Sequence, residues 1–477
     1  MRFFYKPRFG VVGDCIPYFY EGRYHIFYLR DYRDPDSHRF GSPWHHVSTT
    51  DFVHFDDHGE ALSKGSDDDQ DTAVATGCVY TDDAGRHHIF YTGINPGFRT
   101  DTRREQAVMH AVSDDLLAWK KVPGDVWYAD ESRYERHDWR DPFVFRNPDT
   151  GRYTMLLAAR LADGPTAGRG CTARLTSDDL TNWTVEDPFY APGRYHGHEC
   201  PDLFRIGDWY YLVFSEYTTR TTTRYVMSRS LDGPWTAPKH NHFDNRAFYA
   251  AKSAGDGERR FLFGWNPSKV GNTDAGEWQW GGCLTVHEIY QNADGTLAVR
   301  MPPQAHQALG DPVPVDLTLD GTAWTGSPGA YRADARYARS AAVGAATPES
   351  YVLEARITFD RDGGEAGILL NSDTGAHNGY FLRLSTEDQA AQFGRIGGYR
   401  SWYVDHMPEL DRPLPIRPGE PVTMRVIVDK TAVVAYLNDT VALSARLYPD
   451  TTGRCGVYAD GSSVTVSGLA LRPIPGP

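Results

Sequence analysis

One arrangement of apolar and polar positions returns five times along the first three hundred residues. The copies share a turn, an apolar-aromatic run, a second run, and a Ser/Thr-Asp turn leading to an aromatic, the fifth copy being less regular. The first apolar runs start at Tyr24, His87, Tyr153, Tyr210 and Arg260. A spacing of roughly sixty residues suits four-stranded blades with long loops. The central runs, such as Ile26-Phe27-Tyr28 and Met155-Leu156-Leu157, are apolar at successive positions. Both faces of such a strand must be covered, as they are when a sheet is held between neighbours. Helical periodicity is nearly absent. The pattern predicts an all-β chain with a five-bladed β-propeller over residues 1–303.

Met301-Pro302-Pro303 breaks the last strand, and 304–317 reads as a linker with a short helix or an extended segment. From 318 to 477 the runs shorten and alternate. Segments 351–359, 365–370, 380–384, 421–428, 432–437 and 455–458 are separated by Gly, Asp and Asn turns, which predicts a β-sandwich. That region holds no cluster of candidate catalytic residues, so packing or sugar binding is its expected role.

Length and charge narrow the function. A chain of 477 residues exceeds one ordinary core, in keeping with two domains. The net charge of −14 repels phosphate and so argues against nucleic acid and anionic membranes as partners. No apolar stretch of about 20 residues is present to span a bilayer. No signal peptide is visible at the N-terminus, and the six cysteines form no CxxC pair. Free thiols and a cytoplasmic location are therefore expected. Aromatic residues make up 13% of the chain. Most belong in β-protein cores, but some faces could stack on sugar rings.

The chemistry concentrates in three short motifs: Gly13-Asp14-Cys15, Arg140-Asp141-Pro142 and His198-Glu199-Cys200-Pro201-Asp202. They open the first, third and fourth repeats. Placed at equivalent repeat positions around a common axis, Asp14, Asp141 and Glu199 would converge. An acid buried without a partner is costly, and local pairing such as Asp141 with Arg140 could explain one of them. Three in register fit glycoside cleavage, which needs one carboxylic acid for the leaving oxygen and a carboxylate on the other side.

These residues resemble glycoside hydrolase family 32, the invertase, inulinase and levanase group, which shares its propeller with families 43, 62 and 68. Glu199-Cys200-Pro201-Asp202-Leu203-Phe204 carries the strongest signature, and Arg140-Asp141-Pro142 is shared with related families. Trp44 with 47–54, Thr76-Gly77-Cys78, and Phe248-Tyr249-Ala250 followed by Gly264-Trp265 are similar to further segments of the family. The resemblance implies a retaining, exo-acting β-fructofuranosidase that takes a small fructoside and needs no metal or cofactor. Asp14 would be the nucleophile and Glu199 the acid, then the base. Asp141 would hold ring hydroxyls. Arg140, Trp44, Thr76, Gly77, Cys200, His198, Tyr249 and Trp265 would line the substrate. His198 could bind substrate or order its loop, while Trp44 and Trp265 could stack on sugar or fill the core.

One segment departs from the pattern. The family has Asn immediately before the nucleophile and Pro-Asn-Gly after it, whereas here Gly13 precedes Asp14 and Cys15-Ile16-Pro17 follows. The missing amide implies a reshaped subsite. Fructosyl transfer on the same scaffold and a family-43-like pentofuranosidase are the alternative activities; a non-catalytic carbohydrate-binding propeller is the alternative class. Asp67-Asp68-Asp69-Gln70-Asp71 could hold Ca²⁺ but reads as a solvated loop, with Asp71 toward the pocket rim.

Overall fold

The repeated apolar runs form the second strands of five consecutive antiparallel groups. They are seen in a computed structural model that describes residues 3–34, 41–319, 323–396, 408–449 and 453–474. The first group is β1 (Val11–Tyr20), β2 (Arg23–Asp31), β3 (Trp44–Thr49) and β4 (Asp56–Leu62). Then come β5 (Ala73–Thr81), β6 (His87–Ile94), β7 (Gln106–Ser113) and β8 (Lys120–Trp127). The third group is β9 (Tyr134–Arg146), β10 (Tyr153–Leu161), β11 (Gly170–Ser177) and β12 (Thr184–Val185). The fourth has β13 (Glu199–Ile206), β14 (Trp209–Glu216) and β15 (Thr222–Ser228), extended by bridges from Met227 to Thr236 and from Arg224 to His242. The last has β16 (Tyr249–Gly255), β17 (Arg260–Lys269), β18 (Trp278–Gln291) and β19 (Leu297–Arg300).

The ring closes through the first strands. β1 packs on β5, β5 on β9, β9 on β13, β13 on β16, and β16 back on β1. Pairing of Val12 with Gly282 also fastens β18 to β1. Apolar clusters fill the spaces between groups. One joins Cys78 and Phe90 to Trp139, Met155 and Leu157; another joins Ile16 and Phe27 to Val79 and Ile89.

The recurring Ser/Thr-Asp turn has a local cause. Asp51 accepts hydrogen bonds from the Val53 and His54 amides, Asp115 from Leu117 and Ala118, and Asp179 from Thr181 and Asn182. Each turn places one apolar residue in the left-handed region: Phe52 (φ 64°), Leu116 (φ 63°) and Leu180 (φ 65°). All three side chains are buried. Carboxylate capping holds the turn open against that strain so that the apolar residue can enter the core.

Pro302 and Pro303 begin a single short helix, α1 (Pro303–Gln307), which suits proline because the first turn needs no amide donor. Two sheets follow. One pairs Ser462–Pro473 with Ala330–Ala335 and Ser350–Phe359, and runs on through Pro421–Asp429, Ala432–Leu437 and Val441–Arg446. The other runs through Ser340–Ala346, Arg454–Asp460, Glu365–Ser372, Gly379–Ser385, Ala390–Ile396 and Pro408–Pro413. Their inner faces share one core, with Leu353, Ile357, Phe359, Ile368 and Leu382. The outer face of the first sheet lies on the ring, where Val352, Ile427 and Val434 join Phe248, Leu262 and Val299. A buried polar seam crosses this contact. Asp244 accepts from the Ser444 amide and hydroxyl at 2.8 and 2.6 Å, and Arg412 donates to the carbonyls of Asp244 and His242.

Candidate active site

Every first strand is interrupted at the same level by one extra residue. On β1, Gly13 and Asp14 lie between the pairs Val12–Arg30 and Cys15–Tyr28. On β5 the extra residue is Thr76. On β9 the shift falls between Arg140 and Phe143, on β13 between Glu199 and Asp202, and on β16 between Tyr249 and Lys252. A β-bulge bends the strand and re-aims its side chains. Five bulges at the mouth of one ring therefore turn side chains inward together.

The acids do not share one repeat position. By register, Glu199 matches Arg140 as the last paired residue before the bulge, Asp141 is the first residue within it, and Asp14 the second. This corrects the expectation of strict equivalence. Asp14, Asp141 and Glu199 therefore reach the common site from neighbouring steps of three bulged strands. Asp141 (φ 60°), Cys200 (φ 52°) and Ala250 (φ 51°) are left-handed, which costs of order 1–3 kcal/mol each. Side chains from neighbouring groups hold the strained backbone. The Thr92 hydroxyl accepts from the Asp141 amide at 2.8 Å, and the Asp141 carboxylate accepts from the Cys200 amide at 2.9 Å. The Ala251 amide donates to Thr223 at 3.2 Å.

The three carboxylates belong to one hydrogen-bonded network. Arg140 donates to Glu199 at 3.0 Å and to Asp138, and its Nε lies 3.8 Å from Asp141. The Tyr249 hydroxyl donates to the second oxygen of Glu199 at 2.6 Å. Trp265 Nε1 donates to Asp14 at 2.9 Å, and the Thr76 hydroxyl donates to the other Asp14 oxygen. Cys200 Sγ lies 3.8 Å from that same oxygen. Asp141 is buried, whereas Asp14 and Glu199 keep a partly exposed edge toward the opening.

Crowding of anions sets the protonation. Burial and the charge of Asp141 push Asp14 up to about 7, while the Thr76 and Trp265 hydrogen bonds pull it back. Asp141 is also raised by burial; Arg140 opposes the shift and Glu199 adds to it. Burial disfavours the Arg140 charge, but Glu199, Asp141 and Asp138 outweigh it and hold the guanidinium protonated. Tyr249 is pushed well above the usual phenol range by burial and by Glu199, so it stays a donor. The site carries more carboxylates than cations to match them, the condition for keeping one proton among them.

The remaining candidates separate into two sets. Thr76, Cys200, Tyr249, Trp265 and Arg140 all touch one of the acids. Gly77 lies where a Cβ would come within 1.9 Å of the Phe90 carbonyl, so its role is close strand approach beside Thr76. Trp44 is fully buried beside Phe27, and its indole N–H donates to the Ala75 carbonyl at 3.0 Å, which supports the Thr76 bulge from below. The His198 ring is fully buried, stacks on Phe214 at 4.3 Å, and approaches Thr172 at 3.3 Å. Burial lowers its pKa to about 3, so it is a neutral ring that orders the entry to β13. Asp71 accepts from Tyr91 at 2.9 Å and Lys121 at 2.5 Å. Among the described residues no group of three or more His, Cys, Asp or Glu side chains is placed to hold a metal ion.

Sequence reasoning missed Thr92, Asp138 and Trp280. Trp280 is the informative omission. A Cβ built on Gly13 would fall 1.9 Å from its indole, so this ring occupies the space next to Asp14. It also leans on Trp265, with centroids 5.9 Å apart. Nothing in the local pattern marks Trp280, because the contact joins β18 to β1 across the ring closure.

The model of the glycosyl hydrolases family 32 N-terminal domain matches residues 13–298, which contain all of these strands' bulges. The chain belongs to glycosyl hydrolase family 32. Its similarity to curated members extends beyond that domain. A sucrose-6-phosphate hydrolase of Escherichia coli is 26% identical over 90% of this chain and 85% of its own length. A raffinose invertase of Escherichia coli is 26% identical over 94% of this chain and 90% of its own. In fold the chain is similar to a family 32 β-fructofuranosidase of Bombyx mori, with TM-score 0.71 and 17% identity, covering 100% of this chain and 95% of that one. It is likewise similar to an exo-inulinase of Aspergillus awamori, with TM-score 0.73 and 15% identity, covering 100% and 99%. Gly13, where the sequence departs from the family 32 pattern, faces Trp280. An indole stands where an amide side chain would project. Among the described residues no helix is long and apolar enough to cross a membrane.

Proposed function

We propose that this family 32 chain is a retaining, exo-acting β-fructofuranosidase-like hydrolase, acting on the terminal fructosyl unit of a small sugar or short fructan. One observation carries the reading: Asp14, Asp141 and Glu199 belong to one network whose donors approach each acid differently. Glu199 gives its proton to the glycosidic oxygen as the bond to the anomeric carbon breaks. Asp14 attacks that carbon and forms a fructosyl ester. Glu199 then takes a proton from water, the water oxygen attacks the same carbon, and fructose and the Asp14 carboxylate are released. Thr76 and Trp265 fix the two Asp14 oxygens, leaving rotation of the attacking carboxylate little freedom. Arg140 and Tyr249 orient Glu199. Asp141 faces the ring hydroxyls and supports positive charge developing at the anomeric centre.

The test is a substrate panel. Initial rates on sucrose, a short fructan, and aryl β-fructofuranoside, α-arabinofuranoside and β-xyloside are compared, with the anomeric configuration followed by NMR. Greater turnover of the β-fructosides with retention supports the proposal. Preference for a pentoside with inversion replaces it with the family-43-like reading. Oligosaccharide formation at high sucrose would reveal transfer to an alcohol. We assign the ring to residues 1–303 and the sandwich to 318–477, with 304–317 leading from one to the other and its Val313–Pro314 and Leu317 already paired with sandwich strands. The six free, buried cysteines support a reducing, cytoplasmic setting.

A further inference from the structure

Arg446 lies in the last strand of the sandwich sheet that covers the ring, and its guanidinium is buried at the contact. Among the described residues no carboxylate lies within ion-pair distance of it. Its partners are neutral and come mostly from the ring. Nε donates to Asn266 Oδ1 at 2.8 Å and the Pro267 carbonyl at 3.0 Å. Nη2 donates to the Asn266 carbonyl at 2.7 Å and meets Cys283 Sγ at 3.0 Å. Nη1 donates to Thr431 at 2.9 Å, and the Asn266 amide returns a bond to the Ala445 carbonyl at 3.1 Å.

Burying a cation among neutral acceptors is costly, and a methionine would fill similar volume without that cost. The fork meets a segment one residue from Trp265, whose indole N–H holds Asp14. It also meets the place where β17, β18 and β1 are joined. Asn266 pairs with Cys283, Pro267 with Gly282, and Gly282 with Val12, two residues before Asp14. Gly282 makes the approach possible, since a Cβ there would lie 1.8 Å from the Asn266 carbonyl and 3.0 Å from Arg446 Nη2. Fixing Asn266 and Pro267 therefore fixes both the indole and the register of the strand that carries Asp14.

We propose that Arg446 is a positioning residue of the active site, by which the sandwich sets the Trp265 hydrogen bond to Asp14. The sandwich then contributes to the chemistry without touching the sugar. This inference rests on Asp14 acting as the ionised nucleophile.

The experiment compares Arg446→Met, Trp265→Phe, the double variant and Asp14→Ala in the full chain, using aryl β-fructofuranoside. Each hydrogen bond to a charged group that is lost predicts a fall in kcat of about 10- to 100-fold, with little change in KM. Removing the indole donor also moves the acidic limb of the kcat/KM profile to higher pH. Arg446→Met should reproduce both effects. The double variant should be no worse than Trp265→Phe alone, because one bond is lost in either case. An unshifted acidic limb in Arg446→Met, or losses that multiply in the double variant, would overturn the proposal. Should Arg446→Met fail to fold, Asn266→Ala removes the Oδ1 acceptor and the return bond to Ala445 while the Asn266 and Pro267 carbonyls stay, and it must give the same two effects in smaller degree; an unshifted acidic limb there also overturns the proposal. Normal turnover in Asp14→Ala would defeat the nucleophile assignment itself, an outcome separate from any result at Arg446.

Discussion

Replacing Gly13 by alanine tests whether Trp280 is a movable wall of the sugar site. The new Cβ would fall 1.9 Å from Cη2 of Trp280 and 2.5 and 2.7 Å from its neighbours in the ring. Ordinary carbon contacts need about 3.5–4.0 Å, so the indole has to retreat by about 2 Å. The backbone raises no objection, because Gly13 is not in the left-handed region. Were the ring locked, overpacking would cost about 1–3 kcal/mol in stability. Trp280 is 41% exposed and touches Trp265 on one side, so the ring gives way at a cost below about 1 kcal/mol. What is lost is its placement against Trp265 beside the pocket, a contact worth ~0.5–1.5 kcal/mol. Gly13→Ala should raise KM about two- to twelvefold at nearly constant kcat. Urea unfolding should change little, and the tryptophan fluorescence response to fructose should weaken. Unchanged KM with an unchanged fluorescence response would refute the wall. Destabilisation of about 1–3 kcal/mol or more would show the indole to be fixed.

Asp14→Ala and Glu199→Ala should each lower kcat by at least about a thousandfold while circular dichroism and the thermal transition stay near those of the parent, and Asp141→Ala should be severe through lost transition-state binding. Burial and Asp141 raise Asp14 to about 7. Its protonated form thus favours the fold below the ordinary carboxylate range, and that contribution is lost as pH rises through 7. Asp14→Asn should therefore raise the melting temperature more at pH 8 than at pH 4, and the reverse order would refute the raised pKa. The same ionisation should make kcat/KM of the parent climb as pH approaches about 7 from the acid side. His25 and His46, with Nδ1 and Nε2 2.9 Å apart, are lowered by burial to about 4 and about 2. Their stabilising contribution is present above 6.5 and lost as pH falls. His46→Phe should shift the acid unfolding midpoint, measured by circular dichroism, to lower pH. Finally, His198→Phe should leave KM within about twofold if the ring only packs, so a large KM increase in initial-rate measurements would return it to the substrate.

Legible in the sequence were the five repeats of the ring, several strands of the sandwich, and the three acids as candidates. Each of these is written in local pattern: apolar runs that need cover on both faces, aspartates that cap their own turns, and carboxylates set into otherwise apolar strands. Period alone could not determine the steps at which Asp14, Asp141 and Glu199 meet. A bulge adds one residue without changing the apolar pattern, yet redirects the side chains that follow. Nor could it separate Trp44 from Trp265, since both are tryptophans at strand positions. Only packing decides that one indole supports a bulge while the other donates to Asp14. Trp280 against Gly13 and Arg446 against Asn266 were likewise left to the tertiary structure. Those partners are joined by ring closure and by the sandwich lying on the ring, across separations that no local pattern records.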